Sequence, residues 1–499
     1  KSLLSAVQAS PSSLFNVIVK GKLNTKTTDV TTDVNSAIKT KPGNGKGIKR
    51  QYSVVSGVSA QLTGSQILVL ASDARISSIV TDGRVVAHGT FSNLQLWPDA
   101  AGLTSLWSSS LAMPAIAVVD SGVDATRAAD FGVRVITQQD FTNGGSNSKG
   151  DGYGHGTFVA SIAAGGAAGY TGAAPGANIV SLDVLDDSGA GYVSDVIQAC
   201  DWIYRNKGKY GIRVANLSLT GSDFSSFMYD PLDAAVEKLW FSGVVVVNAA
   251  GNYGTAGMPS GILYAPANDP FAITVGAADI SGTVLSADDF AAPWSAYGST
   301  LDGFRKPELG APGRYLNGAV AVSSTMYALH PERIVAPGYF WMSGTSFAAP
   351  VVAGAATQIL ATHPDWTPDE VKGALMLTAL PYTDASSYTL GVGEVNAAVA
   401  VSVVNPPNPN AALDAYVTTD PNGGQAFDAA SWSSAANSNA SWSSASWSSA
   451  SWSSASWSSA SWSSASWSSA SWSSASWSSG QTTDGQLPSA SWSSLTWLN

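Results

Sequence analysis

The sequence predicts an α/β fold organised on a buried parallel sheet. One sign is the apolar run that stops at a polar residue. Ala115-Ile116-Ala117-Val118-Val119 runs into Asp120, and Val244-Val245-Val246-Val247 runs into Asn248. Strands apolar on both sides belong to sheets covered on both faces. The other sign is the small-residue helix behind a glycine turn. Gly154-His155-Gly156-Thr157-Phe158-Val159-Ala160 is one case, and Ser343-Gly344-Thr345-Ser346-Phe347-Ala348-Ala349, continuing to Leu360, is another. Open α/β sheets place their ligands where the strands end, so Asp120 marks the side to watch.

In chain order, residues 14–20 read as a strand. A polar loop follows, ending in Lys41-Pro42-Gly43-Asn44-Gly45-Lys46-Gly47, a flexible linker between strands. It lacks Gly-Lys-Ser/Thr and so is no phosphate loop. Residues 52–62 alternate like a strand, 64–70 suggest a short helix, and 76–82 another strand. Beyond Asp120, an Asn/Gly/Ser loop leads to His155. Strands are expected at 179–185, 214–219 and 241–247, and a helix at 193–204. Residues 314–341 suggest loop and hairpin, and Pro368 opens a further helix with acids in its first turn.

Three side chains carry the chemistry. Pro350 is tolerated only near a helix start, which puts Ser346 at or just before an N-terminus. Unpaired N–H groups and the positive dipole end suit an oxygen that becomes negative there. Alone, Gly-Thr-Ser is an ordinary cap. With Asp120 at a strand end and His155 at a helix mouth, the set supplies an orienting carboxylate, a general base and a nucleophile. The other histidines, His88, His330 and His363, lie in no comparable setting.

These motifs resemble the active-site signatures of the subtilisin-like serine peptidases, in that family's order Asp, His, Ser. The resemblance spans roughly residues 90–400, and a weaker one extends upstream. It implies a three-layer parallel sheet with helices on both faces. It also implies an inhibitory α+β propeptide module over 12–88, cut shortly after Val85-Val86-Ala87-His88, and a peptidase domain over 90–402. The catalytic residues would be Asp120, His155 and Ser346. Asn252, after Ala249-Ala250-Gly251, would donate to the oxyanion, and Asn248 would not. Ser218, Leu219 and Thr220 would pair with the substrate backbone, and Ala249, Ala250 and Gly251 would line the specificity pocket. Thr220-Gly221 stands where the family usually has Gly-Gly. Phe158 replaces a second histidine and Ser161 a glycine. No cofactor is implied for the chemistry. A structural calcium is common in the family, and Asp130 is the nearest candidate ligand, one residue out of register.

Pro406-Pro407-Asn408-Pro409-Asn410 opens an expected linker over 403–439. From Ala440 to Asn499 the unit Ala-Ser-Trp-Ser-Ser dominates, with tryptophans five apart from Trp442 to Trp477 and outlying copies at Trp432 and Trp492. Period five fits neither a strand face nor a helix stripe, so the tail reads as extended. It is either a spacer or a sticky segment for a surface, a glycan or another copy of the chain.

The net charge of −11 and the 12% of charged residues argue against a nucleic-acid partner. Cys200 is the sole cysteine, so no internal disulfide forms, and its apolar neighbours suggest a core helix. No apolar run suggests the ~18 residues of a membrane span. The chain starts at Lys1 with an apolar patch too short for a signal core, as expected of a processed or partial chain. The whole reads as a secreted or cell-surface endopeptidase acting on polypeptides, with its own propeptide as inhibitor. The alternative is a catalytically silent adhesion protein using the tail. A serine esterase would need Gly-x-Ser-x-Gly at Ser346.

Overall fold

The computed structural model describes residues 3–82, 84–86, 95–107, 111–143, 146–383, 388–421 and 423–438. The repeat tail from Ala440, and Ala87 and His88 beside the expected cut, lie outside them.

The chain opens with β1 (Leu14–Gly21), β2 (Gly47–Tyr52), β3 (Gly57–Thr63) and β4 (Ile76–Thr81), an antiparallel sheet in the order β2-β3-β1-β4. Helices α1 (Leu3–Ala9), α2 (Thr27–Thr40) and α3 (Gly64–Leu70) close a small core on it. Strand alternation decides which side chain goes where. Val17 and Val19 enter the small core, whereas Ile18 between them joins the large core of the rest of the chain. Helix α2 replaces the expected polar loop. Its threonines and aspartates are weak helix formers, but Val30, Val34 and Ala37 share one buried face.

Contacts with the next domain are polar and specific. Arg50 pairs with the buried Asp195 at 2.7 Å and donates to the Phe141 carbonyl at 2.9 Å. The Asp201 carboxylate accepts from the Ser53 and Val54 N–H groups. Asp82 accepts from the Ser194 N–H at 2.9 Å, a cap lent to a helix of the other domain.

That domain is built on one sheet. Parallel strands β6 (Ala115–Asp120), β7 (Val135–Asp140) and β8 (Ile179–Asp183) form one side. The short β9 (Ala190–Tyr192) lies off the sheet. β10 (Ile212–Leu217), β11 (Val245–Ala249) and β12 (Ile273–Asp279) continue it, with β13 (Phe290–Ala291) antiparallel at the edge and β14 (Leu309–Pro312) parallel to β12. The order is β13-β12-β11-β10-β6-β8-β7. Every residue of β6, β8, β11 and β12 is buried, so both faces are covered. Helix α4 (His155–Ala164) packs against the later α8, and α5 (Val193–Tyr210) packs against α6 (Pro231–Phe241). Cys200 is a fully buried residue of α5, and burial pushes its thiol up to about 12.

Residues 314–342 fold as β15 (Leu316–Ala319), β16 (Ile334–Ala336) and β17 (Tyr339–Met342), with the short α7 (Thr325–Leu329) between β15 and β16. Helix α8 (Thr345–Thr362) then crosses the core, and α9 (Pro368–Leu377) follows. Two sequence expectations change at α8. It is apolar and long enough to cross a membrane, but 89% of it is buried within the protein. Pro350 is its sixth residue, not a first-turn residue. The expected linker also changes. Hairpin β18 (Val417–Thr419) and β19 (Gln425–Phe427), with α10 (Ala429–Ser438), packs onto the domain, and Trp432 is 3% exposed.

Two stability predictions follow from this packing. A Cβ on Gly354 of α8 would lie 2.2 Å from the Ala173 Cβ. Gly354→Ala should therefore lose about 1–3 kcal/mol by overpacking, against roughly 1 kcal/mol gained in helix propensity. A lower urea midpoint with unchanged m-value is the expected readout. Burial raises the carboxyls of Asp183 to about 8, Asp195 to about 7 and Asp302 to about 6. Unfolded, they titrate near about 3.9. The folded chain holds these protons to higher pH, so their contribution is complete below about pH 4 and is lost as pH rises through 6 to 8. Calorimetry should show the thermal midpoint rising as pH falls from 8 to about 5.5. A midpoint falling over that range would contradict the burial.

Candidate active site

Strand β6 ends at Asp120, which is fully buried. Its Oδ1 accepts from the Ser121 N–H at 2.8 Å and lies 2.7 Å from His155 Nδ1. A carboxylate there fixes the proton on Nδ1 and leaves Nε2 as the free base. Nε2 is buried and has no hydrogen-bond partner.

His155 is the first residue of α4 and is 1% exposed. Its position depends on Gly154, whose φ of +102° is a left-handed value and where a Cβ would meet Ser324 Oγ at 2.4 Å. The turn is also tied by Asp151. This carboxylate accepts from the Gly154 and Thr157 N–H groups at 2.6 and 2.7 Å, and from the hydroxyls of Thr157 and Ser121. Ser121 Oγ in turn accepts from the Gly156 N–H at 2.9 Å. Burial still pushes the Asp151 carboxyl up to about 6, with the donors working against it. Sequence reading missed Asp151 and Ser121. The signal was an acid four residues before a histidine in a glycine-rich turn.

Ser346 is the second residue of α8 and is 2% exposed. Its Oγ donates to the Ser218 carbonyl at 3.2 Å, and the Ser218 hydroxyl donates to the Ser346 carbonyl at 2.7 Å. The second bond has a sequence cause. The Ser346 carbonyl would normally accept from residue 350, and Pro350 has no N–H. The Phe347 ring lies 5.2 Å from the His155 ring and 4.7 Å from Phe158, so Phe158 packs into the aromatic support of the histidine.

Asn252 follows β11, as expected. Its Oδ1 accepts from the Thr345 N–H at 2.9 Å and the Thr345 hydroxyl at 3.0 Å. A backbone N–H only donates, which fixes the amide orientation. Nδ2 is thus turned outward from Thr345, buried and without a partner. The Thr345 hydroxyl itself accepts from the Gly251 N–H at 3.0 Å. Thr345 is a positioning residue that sequence reading missed. Asn248 is buried in β11 and donates to the Pro266 carbonyl.

Ser218, Leu219 and Thr220 follow directly from β10 and are buried. Ala249 ends β11 and Ala250 and Gly251 follow it, with Ala250 packed against Ile262, Ala267 and Ala296. A second edge was missed in the sequence. β5 (Arg84–Val86) pairs antiparallel with β9, Arg84 opposite Tyr192 and Val86 opposite Ala190.

Asp130 does not suit a cation. Its carboxylate is held by Arg127 at 2.8 and 2.9 Å and accepts from the Tyr339 hydroxyl. A guanidinium already supplies the positive charge there. Among the described residues, no group of three or more His, Cys, Asp or Glu side chains could hold a metal ion.

Residues 113–399 match the Subtilase family. The chain is 36% identical over 291 residues to serine protease AprX of Bacillus subtilis, covering 56% of this chain and 64% of AprX. It is 32% identical over 360 residues to subtilisin NAT of Bacillus subtilis subsp. natto, covering 71% of this chain and 83% of that one. The fold is similar to that of fervidolysin from Fervidobacterium pennivorans, a keratinolytic enzyme related to subtilisin. The TM-score is 0.62 at 24% identity, covering 79% of this chain and 62% of fervidolysin. With a family match across more than half its length, the chain belongs to the subtilase family of serine proteases.

Proposed function

We propose that the chain is a serine endopeptidase that cuts polypeptides through Asp120, His155 and Ser346, made as a precursor that cuts itself. The observation that carries this is the pair of orphaned buried atoms, His155 Nε2 and Asn252 Nδ2, one a base and one a donor. A buried polar atom left without a partner calls for an explanation, and for these two catalysis supplies one: a proton acceptor beside a hydroxyl-bearing helix start and a donor for an oxyanion.

In this reading the Ser346 hydroxyl turns about its Cα–Cβ bond from the Ser218 carbonyl toward Nε2. His155 takes its proton as Oγ attacks the peptide carbonyl. Asp120 stabilises the imidazolium. Asn252 Nδ2 and the Ser346 N–H, at the positive end of α8, receive the oxyanion. His155 then protonates the leaving amine, and water releases the acyl group by the same steps reversed. Ser218, Leu219 and Thr220 on one side and β9 on the other serve as edges for an extended substrate. Ala249, Ala250 and Gly251 leave room for a sizeable apolar side chain.

The N-terminal module fits the part of a cis inhibitor. β5 occupies the β9 edge just before the expected cut, as a substrate strand would. Secretion or cell-surface display belongs to the same reading and rests on the family resemblance. Calcium at Asp130 does not belong to it, because Arg127 takes that place.

A fluorophosphonate probe tests the assignment. Labelling of the chain should vanish in Ser346→Ala, and mass spectrometry should then show 1–88 still attached. An unlabelled native chain would favour the adhesion alternative. Asn252→Leu should lose about 10²–10³ in kcat with KM little changed. Arg50→Ala should weaken the module as an inhibitor added in trans by about tenfold or more, since the buried Asp195 loses its partner.

A further inference from the structure

The tail pentapeptide has one copy whose setting is described, and it is docked. Trp432 of α10 is 3% exposed among Phe227, Phe304 and Phe427, with ring centroids 5.6, 5.7 and 6.1 Å away. Phe271 backs Phe427 at 5.2 Å. The walls belong to different elements. Phe227 precedes α6, Phe304 precedes β14, and Phe427 ends β19, whose hairpin is fastened to α6 by Lys238 through Asp420 and the Gln425 carbonyl. Asp428 caps the helix, accepting from the Ser431 N–H and hydroxyl at 3.0 and 2.7 Å.

We propose that this pocket is a receptor for Ala-Ser-Trp-Ser-Ser units in general, and that the chain's own repeats at 440–479 enter it in place of Trp432. The argument is chemical identity. Ala430-Ser431-Trp432-Ser433-Ser434-Ala435 is repeated residue for residue at Ala440-Ser441-Trp442-Ser443-Ser444-Ala445 and in the copies after it. The cap is kept in kind. Ser438 stands four residues before Trp442, as Asp428 stands before Trp432, and serine caps about as well as aspartate. Two further differences rank the copies. In the Trp442 register Ala436, buried at 4%, is replaced by Ser446, and Ala429, packed against the large core, by Asn439, so Trp432 is the preferred occupant.

Chain length favours occupation by the same molecule. Trp432 lies five residues beyond Phe427 and Trp442 fifteen. Tripling a loop lowers its closure probability only about fivefold. Summed over the repeats from Trp442 to Trp477, closure alone gives the tail on the order of half the weight of Trp432. A second chain at micromolar concentration competes poorly with an effective concentration near millimolar. The repeats thus act as reserve anchors that hold the tail to the face formed by α6 and the hairpin.

The test uses the full chain carrying Ser346→Ala, which prevents self-digestion. Trp432→Ala is compared in two backgrounds, with the repeat tryptophans intact and with those from Trp442 to Trp477 changed to Ala. The thermal midpoint should fall by about 5–10 °C in the second background and by less than half of that in the first. Hydrogen exchange should show new amide protection within 440–479 in Trp432→Ala only when the repeat tryptophans are intact. Equal falls in both backgrounds without such protection would overturn the proposal. Rescue accompanied by a doubled mass in light scattering would also overturn it, in favour of a second copy. If Trp432→Ala does not fold in either background, Trp432→Leu gives the same comparison.

Discussion

The first turn of α8 is the constraint on which the site depends. A buried helix start leaves N–H groups unpaired, and a proline at its sixth position leaves a carbonyl unpaired as well. Both needs are met by strand ends. Thr345 donates twice to Asn252, just beyond β11, and Ser218, just beyond β10, exchanges hydrogen bonds with Ser346. The bonds that complete the helix therefore also set the distance between proposed nucleophile and proposed oxyanion donor. Helix, strands and site are fixed by one set of contacts, and a shift of any of them moves the others.

A second set of polar contacts fixes His155 from behind. Asp151 is buried and costly to ionise, yet it gathers donors from both sides of the turn that presents the imidazole. The helix start and those donors lower the cost without cancelling it. An apolar residue at 151 would pack but could not hold Gly154, Thr157 and Ser121 in one arrangement. Ser121 adjoins Asp120 in sequence, so the same group ties the carboxylate strand to the histidine helix.

How much of this was legible depends on the length scale of each signal. Asp120, His155, Ser346 and Asn252 were readable as candidates because each stands at an abrupt change in composition, an apolar strand or small-residue helix meeting a turn. Thr345 was quoted in the motif but not given a role, because its role appears only once Asn252, 93 residues away, is beside it. The β9 edge was hidden because Ala190-Gly191-Tyr192 is too short to show alternation. Helix α2 was hidden because polar β-branched residues dominate it and only three spaced apolar side chains betray its buried face. Asp130 stayed open because spacing cannot show that Arg127, three residues before it, will pair with its carboxylate. Trp432 misled because its pentapeptide matches the tail, while its place is decided by three phenylalanines elsewhere in the chain.

That last case bears on what a repeat is for. Sequence identity between a docked unit and its neighbours means that the docked one is chosen by geometry, by loop length and by the residue four places on. It is not chosen by the indole itself. A pocket that recognises an indole flanked by small residues cannot distinguish one copy from the next by those residues. What singles out α10 among the copies must therefore come from its tether to the hairpin and from the few residues that differ, and selection among copies becomes largely a question of chain entropy. On that view the boundary between domain and tail is a preference among nearly identical anchors, set by the shortest loop that reaches and by the residues that differ.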